Sequence, residues 1–182
     1  MNELVKEALR YLGAAEAPET LRKQAESTAA ALTASVRPRY LYRVFDLAFL
    51  PEGVELRGTG IVLTGNSAGT MLTECSQAAL LACTLGAPFD LRLAALQARN
   101  MAEAVILDAC GSALVEQGCD EAETEIASRF PERFLTDRFS PGYGDLPLAL
   151  QPENVPFPAV RRYLWPDLWT KAACSRILIS SW

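Results

Sequence analysis

Apolar residues recur at the spacing of an α-helix near the start of the chain. Residues 2–12 carry leucine, valine and alanine on one stripe and stop at a glycine, which predicts a short helix. Pro18 stands at the first turn of a second predicted helix, which runs through about Val36. Arg37-Pro38 ends it, because the residue before a proline disfavours helical backbone. The chain is therefore predicted to begin with two amphipathic helices.

The pattern then changes to one typical of β-strands. Residues 40–50 are rich in aromatic and β-branched side chains, and residues 54–57 alternate as a returning strand after the turn at residues 51–53. A third short strand is predicted at residues 61–63, and the continuous apolar run at 78–85 predicts a buried strand. Strands joined by such short turns indicate a mainly antiparallel sheet.

Two short stretches between these strands carry glycine or helix-capping residues. Gly58 and Gly60 suit a phosphate-binding loop, but the wider spacing of a Walker or Rossmann motif is absent, so a bulge or kink in a strand is favoured. Asn66 and Ser67 have side chains that accept backbone N–H groups at an N-cap, which predicts a short helix to about Thr73. Both stretches are therefore predicted to be scaffold.

A helical pattern returns at Pro88. A second helix follows from about Met101 to Gly118, and residues 120–125 continue it as an acidic, solvated face. This helix carries one carboxylate, Asp108, on a stripe that is otherwise apolar. Because a buried carboxylate needs a partner, Asp108 is expected either to bond a backbone amide or arginine of the scaffold, or to face the ammonium or sulfonium group of a ligand.

The succession of elements predicts an α+β fold with N-terminal helices, a mainly antiparallel twisted sheet and a helical pair. At 182 residues, 50% of them apolar, the chain has room for one domain with a core. A net charge of −5 and the lack of a basic run argue against a nucleic-acid surface. No segment approaches the roughly 20 apolar residues that span a membrane. The start has the pattern of a capped helix rather than a signal peptide, which predicts a cytoplasmic protein.

The residue types narrow the chemistry further. The chain contains no histidine, which excludes Ser-His and Cys-His catalysis and any imidazole ligand to a metal ion from this chain. A hydrolase is disfavoured because no nucleophile–base pair is visible. The cysteines form no Cys-x-x-Cys pair, so neither a disulfide framework nor a structural zinc site is expected. They are Cys75, Cys83, Cys110, Cys119 and Cys174.

The richest chemistry lies in the segment from Thr136 to Pro147. It contains too much glycine and proline for a helix or central strand, so it is predicted to be a shaped loop. Arg138 offers a planar fork of donors for a carboxylate or phosphate. Gly142 allows the backbone to approach a ligand closely, and Tyr143 supplies a ring face for a base or a cation. A ligand cradle is favoured over the alternative, a plain tight turn.

The spacing Arg138-x-x-x-Gly142-Tyr143 resembles the S-adenosylmethionine-binding signature of the activation domain of cobalamin-dependent methionine synthase. The likeness is closest to the short stand-alone or split bacterial forms, in which the run from Thr136 to Pro152 recurs almost as it stands here. It covers roughly residues 1–152, the predicted single domain. Three further stretches that look like the family are Gly58–Leu63, Ala82–Gly86 and Leu107–Ser112.

The resemblance implies an S-adenosylmethionine-binding domain that supports reductive methylation, and so reactivation, of cob(II)alamin. Such a domain is a component of methionine synthase, a methyltransferase, rather than a complete enzyme. The implied partners are a cobalamin-binding methionine synthase or corrinoid protein subunit and a flavodoxin-like or other reductant. Arg138 would bind the ligand's carboxylate, Tyr143 would cover the adenosyl or sulfonium group, and Asp108 would face the ammonium. The full set of implied S-adenosylmethionine-binding residues is Arg138, Ser140, Pro141, Gly142, Tyr143 and Asp108.

Two alternatives to this function stay open. The first is a non-catalytic interaction protein that docks on a corrinoid protein or a reductase without binding S-adenosylmethionine. The second is an inactive remnant, since residues 153–182 depart from the family pattern and hold all three tryptophans. One hypothesis for this tail is a shifted reading frame near residue 153, which would remove strands that complete the sheet. A lineage-specific ending is the alternative.

Overall fold

The computed structural model describes residues 2–147 and the backbone of residues 174–181. The helices and strands follow one another in an α+β arrangement, which confirms the predicted fold class. In chain order they are α1 (Glu3–Tyr11), α2 (Glu19–Ser35), β1 (Arg39–Leu50), β2 (Gly53–Leu56), β3 (Ile61–Leu63), α3 (Asn66–Leu72), β4 (Cys75–Thr84), α4 (Ala87–Gln97), α5 (Met101–Arg129), β5 (Phe134–Leu135) and β6 (Cys174–Ser181).

The strands form one sheet in the order β3-β2-β1-β4-β6-β5. Strand β1 pairs antiparallel with β2, with Leu47 opposite Leu56, and β2 pairs antiparallel with β3. Strand β6 pairs antiparallel with β5, with Phe134 opposite Ser181. Part of the unusual ending, strand β6, thus joins the sheet, and the hypothesis of a shifted reading frame stays a prediction. The predicted boundary at residue 153 lies outside the described residues.

The described residues group into two compact units. The helical unit comprises residues 2–39 and 83–120. In it, α1 packs against α2, and small residues of α5 allow close contacts: a Cβ added at Gly111 would lie 2.9 Å from Cε2 of Phe89. At Gly118 an added Cβ would lie 2.7 Å from Sγ of Cys83. Gly118 therefore does not end the helix, and α5 runs without interruption to Arg129. Its missing side chain leaves space for Cys83.

The sheet unit comprises residues 40–82, 121–147 and 174–181. Its core is built from alternate side chains of the strands, from the buried face of α3 and from two residues of the predicted ligand loop. The buried members are Phe45, Leu47, Val54, Leu56, Ile61, Leu63, Ala68, Leu72, Cys75, Ala78, Leu80, Ala82, Phe139 and Leu146. Burial of this apolar surface is the main force that holds the loop on the sheet unit.

Two predictions about glycine and cap positions are corrected by the structure. Gly58 and Gly60 form neither a phosphate loop nor a bulge, but the turn between β2 and β3, where both adopt a left-handed backbone with φ of 77° and 71°. Asn66 and Ser67 do not cap α3 with their side chains. Instead they are its first residues, and their backbone N–H groups are bound by a distant carboxylate, that of Asp145.

The stripe of α5 that was predicted to be apolar and buried is partly exposed in its first turns. Met101 and Val105, at its start, are 60% and 49% exposed, and Asp108 is exposed with them. The buried face near Asp108 is made instead by neighbours such as Leu107 and Cys110. The inference that Asp108 needs a partner because it is buried is therefore wrong, since water solvates its carboxylate.

Candidate functional site

The loop predicted to bind a ligand is anchored in the core on both sides of its tip. Phe139 is 1% exposed and Leu146 is 2% exposed. Between them the backbone closes on itself, because Tyr143 N donates to Ser140 O at 2.9 Å and Leu146 N donates to Tyr143 O at 3.0 Å. Gly142 N donates to Leu146 O at 2.9 Å. The tip is therefore a shaped turn with fixed ends, as the sequence predicts.

Two glycines make this turn possible. Gly142 and Gly144 have φ of 92° and 57°, a region that L-residues with a side chain avoid. At Gly144 an added Cβ would lie 3.0 Å from Cβ of Ser67 and closer still to its Oγ. Glycine is thus required at this position both for the backbone conformation and for the approach to α3.

A carboxylate fastens the loop to the first turn of α3. Asp145 Oδ2 accepts from Asn66 N at 2.7 Å, and its Oδ1 accepts from Ser67 N at 2.8 Å. Asp145 N donates to Ser67 Oγ at 3.4 Å. These backbone N–H groups, that of Ser67 first, hold the pKa of the Asp145 carboxyl below its ordinary value, because they stabilise the charged form. Asp145 therefore acts as an N-cap supplied from 78 residues away.

Arg138 forms an ion pair with the end of α5. Its Nη1 lies 2.7 Å from Oε2 of Glu123, and the two side chains are 18% and 34% exposed. Glu123 belongs to the acidic run that was predicted to be a solvated face. That prediction holds for Asp120 and Glu121, which are exposed, but is wrong for Glu123, which binds the loop.

Two hydroxyl groups flank Arg138 along the chain. Thr136 Oγ1 and Ser140 Oγ are both buried and have no hydrogen-bond partner among the residues that the structure describes. They stand two positions before and two positions after Arg138. Buried hydroxyls without a partner are uncommon in native proteins and often mark a site for water or a ligand. Ser140 was among the predicted site residues, whereas Thr136 was not.

The exposed part of the turn is aromatic. Tyr143 is 60% exposed, while Pro141 beside it is buried. An exposed ring on a rigid turn is available for stacking against an aromatic base. Five of the six predicted site residues thus belong to one loop of the sheet unit. Asp108, the sixth, belongs to the helical unit, and its role opposite the ligand's ammonium group stays a prediction.

A second polar cluster lies on β1 and α5 and was not predicted. Glu125 Oε2 accepts from Tyr40 Oη at 2.8 Å, and Oε1 accepts from Tyr42 Oη at 3.4 Å. Arg129 Nη2 pairs with Glu125 at 2.7 Å. The hydrogen bond to Glu125 raises the pKa of Tyr40, and desolvation raises that of Tyr42. One signal in the sequence indicates this cluster. The two tyrosines occupy alternate positions of a strand, so their side chains lie on the same face and can share a partner.

In residues 2–147, no group of three histidine, cysteine, aspartate or glutamate side chains is arranged to hold a metal ion. None of the helices α1 to α5 has the length and apolar character needed to cross a membrane.

Comparison with known proteins reveals a likeness in structure. No protein-family profile and no curated protein matches the chain. Among solved structures, the chain is similar to the MetH reactivation domain bound to AdoHcy, with a TM-score of 0.61 and 15% sequence identity. The match covers 90% of this chain and 65% of that domain's chain, so this chain spans about two thirds of its length. The chain therefore has the fold of the MetH reactivation domain.

Proposed function

We propose that this protein binds S-adenosylmethionine and supports the reductive methylation of cob(II)alamin held by a partner protein, as a component of a methionine synthase or a related corrinoid methyltransferase. The observation that carries the proposal is the anchored loop. Within residues 136–147 it brings together Arg138, an exposed Tyr143 and two buried hydroxyls that have no partner among the described residues. The fold likeness to a domain that binds AdoHcy supports the choice of ligand.

In this proposal each part of the loop meets one part of the ligand. The Arg138 guanidinium binds the ligand's carboxylate. That carboxylate accepts hydrogen bonds from the guanidinium N–H groups, either beside Glu123 or in its place. The ligand lies against the backbone of Ser140, Pro141 and Gly142. The hydroxyl group of Ser140 forms a hydrogen bond with it. The Tyr143 ring covers the adenosyl or sulfonium group. Asp108 stays a predicted partner of the ammonium group.

The chain's own contribution to catalysis is positioning. S-adenosylmethionine carries its methyl group on a sulfonium that is already a good leaving group, so no general acid or base is needed in this chain. A cobalamin held by a partner protein would supply the methyl acceptor, and a flavodoxin-like donor would supply the electron. The loop holds the sulfonium in a fixed direction because both of its ends are buried.

Calorimetric titration of S-adenosylmethionine and of AdoHcy into the purified protein tests the proposal. We expect saturable binding that Arg138→Ala weakens by about 2 kcal/mol, or about 30-fold, as for the loss of a charge-assisted pair. The matched control is Arg92→Ala, which removes the same charge from an exposed position of α4 and is expected to bind like the wild type. A folded wild-type protein that binds neither ligand refutes the proposal.

The alternative is an interaction protein that docks on a corrinoid protein or a reductase without binding S-adenosylmethionine. It is favoured by the exposure of Met101 and Val105, which lie four residues apart and thus on one face of α5. Pull-down with a corrinoid protein distinguishes the two functions. Partner binding by a protein that gives no heat with either ligand supports the alternative, and its abolition by Val105→Asp supports a contact through α5.

A further inference from the structure

We propose that Glu123 binds the α-ammonium group of the ligand whose carboxylate is held by Arg138. This inference rests on the proposed function and deepens it, since it assigns the recognition of a free amino-acid head group to the Arg138–Glu123 pair. It gives a ligand-binding role to a residue of α5 that neither the loop motif nor the fold likeness indicates.

The geometry of the pair is the first reason. Arg138 Nη1 and Glu123 Oε2 are 2.7 Å apart, although the residues are 15 positions apart and belong to different elements of the sheet unit. The side chains retain 18% and 34% of their exposure. Neither side chain is fully buried, so both charges keep some access to solvent.

The chemistry of an amino-acid head group is the second reason. Its ammonium and carboxylate share one carbon through bonds of about 1.5 Å each, so its two opposite charges are separated by a very short distance. A guanidinium and a carboxylate that already touch offer the complementary charges at a similarly short spacing. The planar fork of Arg138 suits the ligand's carboxylate, and Glu123, which only accepts hydrogen bonds when ionised, suits its ammonium.

The surroundings of Arg138 are the third reason. Thr136 Oγ1 and Ser140 Oγ, on either side of it along the loop, are buried without a partner in the part of the chain that the structure describes. A plain surface ion pair needs no such hydroxyls, whereas a ligand carboxylate at Arg138 would find additional donors in them. In this inference the two hydroxyls are candidate donors to the ligand's carboxylate, and Glu123 is an acceptor that contacts the Arg138 guanidinium directly.

Glu123 meets this need better than Asp108. Asp108 belongs to the helical unit and is exposed on α5, whereas Glu123 contacts Arg138 directly. The two carboxylates lie on the same helix but 15 residues apart in sequence. A comparison of the two amide variants, Glu123→Gln and Asp108→Asn, therefore separates their roles.

Two ligands that share the adenosine and the thioether sulfur, but of which one carries the amino-acid side arm, provide the test. AdoHcy carries it, and 5′-methylthioadenosine keeps the adenosine and a thioether but lacks it. We expect the wild type to bind AdoHcy more tightly. Glu123→Gln should weaken AdoHcy binding about ten-fold, as for the loss of one charge-assisted hydrogen bond, and leave 5′-methylthioadenosine binding unchanged. Glu121→Gln, the same change at an exposed position of α5, is the matched control.

Thermal melting of each variant accompanies the titrations. A partly exposed ion pair contributes little to folding, so Glu123→Gln is expected to melt close to the wild type. Tighter AdoHcy binding by this variant overturns the inference, since Glu123 would then compete with the ligand for Arg138. Equal weakening of both ligands overturns it too, because Glu123 would then act only through the scaffold.

The outcome for the wild type separates this inference from the proposed function. If the wild type binds both ligands with equal affinity, the head group is not recognised and the inference is wrong, while adenosine binding by the loop remains supported. If the folded wild type binds neither ligand, the proposed function is wrong and the inference falls with it.

Discussion

The substitution Gly144→Ala tests whether the candidate loop is seated on α3 as described. Gly144 has φ of 57°, and its Cα faces Ser67, whose Cβ would lie 3.0 Å from an added Cβ. The alanine is therefore penalised twice. It must adopt a left-handed backbone, and it must push Ser67 away from the loop.

The two penalties have separate magnitudes. A left-handed backbone costs a residue with a side chain about 1 to 2 kcal/mol. Forcing a methyl group into a filled contact costs about 1 to 3 kcal/mol more. We therefore expect Gly144→Ala to lower the free energy of unfolding by about 2 to 5 kcal/mol.

Gly60→Ala is the matched control for the backbone penalty alone. Gly60 belongs to the same unit and has φ of 71°, but an added Cβ would meet nothing within 4 Å. It is expected to lose only about 1 to 2 kcal/mol. In the double variant Gly144→Ala with Ser67→Gly, the contact penalty should disappear, because no side chain remains to be displaced.

Urea unfolding followed by circular dichroism measures these differences, provided that the transitions are two-state. The reasoning is refuted if Gly144→Ala costs no more than Gly60→Ala, or if the Ser67 substitution does not relieve it. Titration with AdoHcy gives a second measurement on the same variants. If the loop forms the site, Gly144→Ala should lose affinity at temperatures where it is fully folded, and Gly60→Ala should not.

Three further predictions concern stability and reactivity. The wild type should be more stable than Asp145→Asn, and this difference in unfolding free energy should be present in full above about pH 4, the ordinary pKa of aspartate. The difference should vanish as the pH falls through the lowered pKa of Asp145 in the folded state. Urea melts between about pH 2.5 and about 6 measure it. Gly111→Ala should destabilise the protein by about 1 to 3 kcal/mol because its methyl group meets the Phe89 ring, whereas Gly69→Ala in α3, with open space around it, should be neutral or stabilising by up to about 1 kcal/mol; thermal melts of the two variants decide this. Burial raises the pKa of Cys110 to about 11, so mass-mapped alkylation at pH 8 should label it only on the unfolding timescale, and rapid labelling of the folded protein would contradict its burial.

Local patterns in the sequence were sufficient to predict most of the fold. Helix periodicity predicts α1, α2 and α5, and alternation predicts the β1–β2 hairpin, each within a few residues of its observed bounds. These elements depend on contacts close along the chain, which the order of apolar and polar residues records directly. The strand β6 was not predicted, because its apolar spacing is weak and its place in the sheet depends on pairing with β5 about 40 residues earlier.

The side on which a residue lies was harder to predict than the element to which it belongs. Asp108 was expected on a buried face, but a helix as apolar as α5 has more than one possible buried face. Its actual face is chosen by small residues such as Gly111, which lets Phe89 approach. No periodicity in α5 alone records which neighbour comes closest, because that depends on the whole arrangement of the helical unit.

For the candidate site, the sequence by itself determined the residue types and the shape of the loop. Glycine, proline, arginine and tyrosine at that spacing allow few backbone conformations, so a shaped turn with Arg138 and Tyr143 follows from local chemistry. Only the tertiary structure decided that Asp145 caps α3 and that Glu123 meets Arg138. These contacts join residues 79 and 15 positions apart, and they form because burial of Phe139 and Leu146 brings the loop against other elements of its unit.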